Sequence, residues 1–207
     1  MSEFDIKAAD WDKNPMHWDR SNAIAEQIKK NISLKPNMQA LEYGAGTGIL
    51  SFLLKDEFEE ITLMDNSEEM LKIITQKIEK TGVKNLSPLF FDLEHNEYSD
   101  KKFDVIYTQM VLHHVIDVDN IINRFHNLLK PEGYLLIADL YEEDGTFHDD
   151  SFNGHKGFDI QKLSEKLIEL NFHNISHNQC FVVNKKISEI ETKLFPVFLL
   201  VANAIKN

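Results

Sequence analysis

Side chains able to bind a ligand or move a proton are concentrated at a few points of this sequence, each just after an apolar run. The stretch LEYGAGTGIL, Leu41 to Leu50, places Glu42 two residues before Gly44 and follows it with Gly46 and Gly48. Glycines spaced so closely leave the backbone bare, as a ligand that touches the main chain requires, and a nucleotide is the first suspect. Asp65 closes EEITLMD, Asp92 follows NLSPLFF, Thr108 and Gln109 end FDVIYTQM with His113 and His114 just beyond, and Asp139 lies near the end of GYLLIADL. Carboxylates in such places accept charge-assisted hydrogen bonds, and histidine is the side chain most used for proton transfer near neutral pH.

The elements that must carry these residues alternate. Apolar positions at helical spacing give a helix over Ser21–Ile32, the break KPNMQ leads into a strand at Gln39–Tyr43, and a second helix opens at the glycines and runs to Lys55. EEITLMD is a strand, and NSEEMLKIITQKIEKTG is a helix with Asn66 or Ser67 as its N-cap and Gly82 past its end. Strands at NLSPLFFDL, FDVIYTQM and GYLLIADL follow, with a helix over Asp117–Leu129. Strands alternating with helices imply right-handed βαβ units and a doubly wound α/β sheet covered on both faces. In such sheets ligands bind outside the carboxyl ends of the strands, where the polar residues gather.

Beyond Leu140 the rhythm changes. YEEDGTFHDDSFNGHKGFD is long, polar and glycine-bearing, a length usually functional or mobile. A helix at Ile160–Leu170 and two β-like segments, ISHNQCFVVNK and KLFPVFLLVAN, complete the chain. The expected organisation is one domain over 1–207: an N-terminal helical cap (1–35), a ligand-binding core (36–140), and a lid loop, helix and closing strands (141–207).

Composition sets limits on partners. The 207 residues carry 22 Lys plus Arg against 34 Asp plus Glu, a formal net charge of -12, and no basic stripe that would attract nucleic acid. The acidic N-terminus lacks the apolar region of a secretory signal. The apolar FPVFLLVANAI is well short of the ~20 residues a membrane helix needs, and its Val and Phe content reads as a buried strand. Cys180 is the single cysteine, which excludes an internal disulfide and a cysteine-based zinc site. A cytoplasmic protein without membrane or nucleic-acid partners is expected.

The dinucleotide fingerprint G-x-G-x-x-G wants a glycine where this chain has Ile49, and Glu42 beside a pyrophosphate would repel it. A cationic ligand suits the stretch better. Glu42-x-Gly44-x-Gly46-x-Gly48 resembles the first motif of the class I S-adenosylmethionine-dependent methyltransferases, and the likeness is colinear over residues 39 to 140. FDVIYTQMVLHHV is similar to the fourth motif of that family, and LLKPEGYLLIADL to its strand-five motif, with Glu132 in place of a common glycine.

The resemblance implies a Rossmann-like, doubly wound, seven-stranded α/β sheet, mostly parallel with an antiparallel C-terminal strand. It implies S-adenosylmethionine as cofactor, S-adenosylhomocysteine as product, and cofactor contacts at Glu42, Gly44, Gly46, Gly48, Asp65, Asn66, Asp92, Leu93 and Gln109. Within these, Asp65 would bond the ribose hydroxyls and Asp92 the adenine amino group, with Leu93 beside the ring. The whole chain, including WDKNP and EDGTFH, resembles a small-molecule branch of the family, which implies a small-molecule acceptor. TQMV stands where enzymes that methylate amide or base nitrogens often carry an Asn/Asp-Pro-Pro-aromatic motif, which argues against that subclass. His113 and His114 are the candidate catalytic residues. Trp11, Trp18, Asp139, His148 and His155 are candidates for the acceptor pocket, roofed by Phe4–Trp18 and Tyr141–Phe158. Asp139, Glu142, Asp144, His148 and His155 match no metal signature, so no metal is expected. A non-catalytic cofactor-binding module and an NAD-type oxidoreductase are the alternatives, the latter disfavoured by Ile49 and Glu42.

Overall fold

The computed structural model describes residues 3–149 and 151–206. Two helices precede the sheet. α1 (Glu3–Trp11) has no counterpart in the elements read from periodicity, and α2 (Pro15–Asn31) begins well before Ser21. The earlier start has a local cause: the Asn14 side chain accepts from the Met16 amide at 3.1 Å, and Pro15 occupies the first turn, where its missing N–H leaves nothing unpaired.

The strands are β1 (Gln39–Tyr43), β2 (Glu60–Asp65), β3 (Leu86–Phe90), β4 (Phe103–Gln109), β5 (Leu129–Leu140), β6 (Phe172–Lys186) and β7 (Thr192–Ala204). The helices between them are α3 (Ile49–Leu54), α4 (Glu68–Thr81), α5 (Val118–Leu128) and α6 (Ile160–Glu169). Ser67 caps α4, Asp117 caps α5 and Asp159 caps α6, each through its side-chain oxygen, and Gly82 ends α4 in the left-handed conformation at φ +70°.

Among the described residues the strands form one seven-stranded sheet in the order β3-β2-β1-β4-β5-β7-β6. The first five run parallel, and β7 is antiparallel to both β5 and β6. Chain order reverses between β1 and β4, which opens a crevice at their carboxyl ends. The apolar C-terminal run forms the buried strand β7, paired on both sides by β5 and β6.

Alternation along the strands splits the core between the two faces of the sheet. Leu41, Ile106, Leu135 and Ile137 face α5 and α6, whereas Ala40, Val105, Tyr107, Leu136 and Ala138 face α2, α3 and α4. Each fully buried Leu or Ile contributes about 1.5–3 kcal/mol relative to exposure, so a one-residue slip of register would forfeit many such terms at once.

Candidate functional site

The glycine loop is shaped by backbone geometry. Gly44, Gly46 and Gly48 have φ of +67°, +55° and +78°, values that side-chain-bearing residues rarely adopt. Their surroundings differ. A Cβ on Gly44 would lie 2.5 Å from Val111 Cγ2, and one on Gly48 would lie 2.9 Å from Leu63 Cδ2 and 3.3 Å from Ile74 Cγ1. A Cβ on Gly46 would meet no atom within 4 Å. Gly44 thus admits the turn after β4, Gly48 admits the packing of α3 and α4 on the sheet, and Gly46 faces open space.

That space is a cavity of about 920 Å³ at the switch point between β1 and β4. Gly44, Gly46, Asp65, Asn66, Asp92, Leu93 and Gln109 line one side. Asp65, at the end of β2, accepts from the Gly46 amide at 2.7 Å and the Ser67 amide at 2.8 Å. Burial raises its carboxyl to about 6 against the opposing pull of these amides. Asp92 accepts from the amides of Glu94 and His95 at 3.0 and 3.2 Å and pairs with His95 Nδ1 at 2.8 Å, which closes the turn after β3. Gln109 is tied to Ser21 of α2 at 3.0–3.1 Å.

The other side of the cavity is lined by Phe4, Trp11, Met16 and Arg20 from α1 and α2, by His113 and His114 after β4, by Phe147 and His148 from the loop after β5, and by Lys185 of β6. The chain turns sharply at Met110, φ +55°, and a short 3₁₀ turn at Leu112–His114 then presents the two histidines. His113 is buried; its Nδ1 pairs with Asp139 Oδ1 at 2.6 Å, and its amide donates to Asp139 Oδ2 at 3.2 Å. The loop is anchored at its neck, where Phe158 donates to the Leu140 carbonyl and Glu142 to the Phe158 carbonyl, both at 2.9 Å. It crosses directly above the histidine turn, because the His155 amide donates to the His113 carbonyl at 2.7 Å.

Three contacts fasten the N-terminal segment to the glycine loop and to α4 with its cap. Asp12 accepts from Thr47 Oγ1 at 2.5 Å and pairs with Lys77 Nζ at 2.8 Å, and Asp5 accepts from Ser67 Oγ at 2.6 Å.

Five residues expected at the site are turned away from the cavity. Glu42 is buried beneath the loop, where it accepts from Ser51 Oγ, which is also 2.7 Å from the Tyr107 hydroxyl. Burial raises the Glu42 carboxyl to about 8, so the negative charge that favoured a cationic ligand is mostly absent at neutral pH. Gly48 is filled around by Leu63 and Ile74, and Asp139 reaches the cavity only through His113. Trp18 packs outside, with Nε1 donating to the Asp12 carbonyl at 2.9 Å and Lys77 over its ring at 5.6 Å. His155 contributes its backbone to the histidine turn, while its ring lies 5.6 Å from that of Phe158.

The sequence reading missed Arg20 and Lys185, and covered Met16 only within the stretch Phe4–Trp18. For Arg20 a signal existed: with Ile24 and Ile28 it falls at spacing four on one face of α2, and a cation in an apolar stripe is out of place. Lys185 and Met16 carry no such mark, since β6 and the start of α2 reach the cavity only through tertiary packing.

Comparison with known proteins agrees with this geometry. A family model described as a methyltransferase domain matches residues 34–193. A Staphylococcus carnosus uncharacterized methyltransferase is 30% identical over 151 residues, covering 70% of this chain and 68% of that protein. A Schizosaccharomyces pombe uncharacterized methyltransferase is 30% identical over 125 residues, 57% of this chain and 44% of that protein. The fold is similar to that of Haemonchus contortus phosphoethanolamine N-methyltransferase 2 solved with S-adenosyl-L-methionine, with a TM-score of 0.72 and 17% identity over 91% of this chain and 53% of the other.

The chain belongs to the methyltransferase domain family, within the class I S-adenosylmethionine-dependent methyltransferases, and S-adenosylmethionine is the cofactor of that class. It spans less than half the length of most of the curated relatives it matches. Among the described residues no helix is long and apolar enough to cross a membrane.

Proposed function

We propose that this chain transfers a methyl group from S-adenosylmethionine to a small-molecule acceptor carrying an anionic group, within the cavity at the β1/β4 switch point. The observation that carries the acceptor class is Arg20. It is 6% exposed, it lines the cavity, its Nη1 donates to Met16 Sδ at 3.7 Å, and the Asp139 carboxylate acts on it electrostatically. Its Nε has no hydrogen-bond partner among the described residues. Burial lowers the guanidinium to about 10, so it keeps its charge at neutral pH. A buried cation whose Nε–H is unpaired is costly even with Asp139 near, and a carboxylate or phosphate on the acceptor would satisfy it with charge-assisted bonds. Lys185 and Lys186 border the same cavity.

The opposite wall suits the cofactor. Gly46 leaves room for close backbone approach, Asp65 offers its carboxylate to the ribose hydroxyls with Asn66 beside it, and Asp92 and Leu93 would hold the adenine. Glu42 and Gly48 act from behind, as supports of the loop. When bound, S-adenosylmethionine supplies a methyl activated by its positive sulfur. The chain then aligns the acceptor and excludes water, so no protein nucleophile is needed. Cys180, raised to about 12 by burial, has no such role. His113, with Nδ1 committed to Asp139, has its Nε2 for the acceptor or for whatever activates it.

In this reading residues 1–35 cap the site, 36–140 hold the cofactor, and 141–207 close over the acceptor. The test is to incubate the protein with methyl-labelled S-adenosylmethionine and a metabolite extract, and to fractionate products by anion exchange. A labelled product retained by the anion exchanger is expected, and Arg20→Met should raise its KM at least about tenfold, as loss of hydrogen bonds to a charged group implies. A neutral or cationic product would sink the acceptor class; no labelled product would sink methyl transfer.

A further inference from the structure

The loop after β5 and the turn after β4 bring together three imidazoles from separate stretches of chain. One ligand-capable nitrogen from each of His113, His114 and His148 lies within 4.8 Å of the other two, and all three residues line the cavity. Nitrogens bound to a tetrahedral zinc at about 2.0–2.1 Å are about 3.4 Å apart, a distance that small ring rotations would reach. From the geometry we infer that His113, His114 and His148 form a binding site for a divalent transition metal, zinc foremost, with a fourth position open to the cavity.

A second observation is independent of the clustering. Metal-bound histidines commonly donate their other ring N–H to a carboxylate, which fixes the tautomer and raises the basicity of the bound nitrogen. Asp139 stands in that relation to His113: fully buried, 2.6 Å from Nδ1, and itself fixed by the amides of His113 and Leu140 at 3.2 and 2.7 Å. Nε2 is left to the cluster. The donor set chooses the metal class, since neutral imidazoles suit zinc, copper, nickel or iron and are poor ligands for magnesium or calcium.

His148 is held in place by its surroundings. Phe152 stacks on its ring at 3.7 Å between centroids and 16° between planes, and meets His114 edge-on at 5.1 Å. At Gly154 a Cβ would lie 2.2 Å from the His113 carbonyl oxygen, so the loop can cross this close only without a side chain there. The metal would therefore fasten the loop to the sheet and, at its open position, polarise an acceptor heteroatom beside the transferring methyl. No metal is expected from the sequence, where the set weighed, Asp139, Glu142, Asp144, His148 and His155, matches no signature and shares only His148 with this cluster.

The test uses the full chain without a polyhistidine tag, stripped with a chelator and titrated with Co²⁺, whose visible d–d absorption reports tetrahedral coordination, and then with Zn²⁺ in competition. One equivalent is expected. His114→Ala and His148→Ala should each weaken it at least about tenfold, and the exposed His177→Ala should leave it unchanged. Circular dichroism and S-adenosylhomocysteine affinity of the variants separate loss of the site from loss of the fold. Zn²⁺ should also slow amide exchange across residues 141–158 in the parent and not in the His114→Ala/His148→Ala double variant. Absence of tetrahedral Co²⁺ bands, or binding that survives in the folded double variant, would overturn the site.

Discussion

The Gly46 amide donates to Asp65 Oδ2 at 2.7 Å, so the glycine loop and the end of β2 are a single hydrogen-bonded unit facing the cavity. A change at either residue should therefore be felt at the cofactor. Asp65→Ala should weaken S-adenosylhomocysteine binding at least about tenfold, because hydrogen bonds to a charged group contribute about 1.5–3 kcal/mol each. Calorimetry giving equal affinities would remove Asp65 from the ribose.

The same residue sets a pH dependence. Its carboxyl titrates at about 6 in the free protein, and hydroxyl donors from a ligand favour the ionised form. Binding should tighten as pH rises through about 6, level off above it, and release a proton in the transition region. The dependence should vanish in Asp65→Asn. Titrations in buffers of different ionisation enthalpy measure the proton directly.

The three glycines should fail in different ways. Gly48→Ala drives a methyl against Leu63 and Ile74 at φ +78° and should destabilise the fold by about 1–3 kcal/mol. A Cβ at Gly46 meets no atom within 4 Å, so Gly46→Val should leave the chain folded at the cost of a β-branched residue held at φ +55°, and should fail to bind cofactor. Thermal unfolding together with equilibrium dialysis separates the two, and a Gly46→Val protein that folds and binds normally would make the loop a plain turn.

Glu42 should lower stability as pH rises. Its folded value, about 8, lies above the ordinary 4.5, so the folded state holds a proton that the unfolded state has released. The penalty is absent below the unfolded value, grows between the two, and is complete above about 8. Glu42→Gln, which keeps the shape without the charge, should flatten the decline and gain on the order of a few kcal/mol at the alkaline end. Denaturant midpoints that fall equally with pH in both proteins would contradict the burial of this carboxyl.

Removing residues 1–13 should separate closure from folding. This cut keeps the Asn14 cap of α2 and the Arg20 and Ser21 positions, and it removes Phe4 and Trp11 from the cavity wall and Asp12 from Thr47 and Lys77. The shortened chain should stay folded, yet turnover of the acceptor found by labelling should fall about a hundredfold, the scale of lost alignment. Unchanged turnover would assign α1 to packing alone.

The strand and helix alternation from Gln39 to Leu140 was legible because it is local: apolar period, cap residues and glycine punctuation act within a few positions. The strand-end residues Asp65, Asp92 and Gln109 could be placed for the same reason, since a parallel strand delivers its last residue to one edge of the sheet. By contrast, α1 was not resolved as a separate helix within the N-terminal cap, because it lies against α4, far along the chain, and Phe4 meets His114 across the cavity.

What the linear order alone determined was therefore the doubly wound class, the glycine loop and the crevice at the carboxyl ends of the strands. Tertiary structure decided which candidates reach the cavity. It turned Glu42 inward onto Ser51 and raised its pKa, set Asp139 behind His113, and left Trp18 and His155 outside. It also drew Arg20, Lys185 and His148 from three distant segments to the same cavity. Such convergence depends on how helices and loops pack across the sheet, and burial, which sets the charge state of these groups, exists only once that packing is complete.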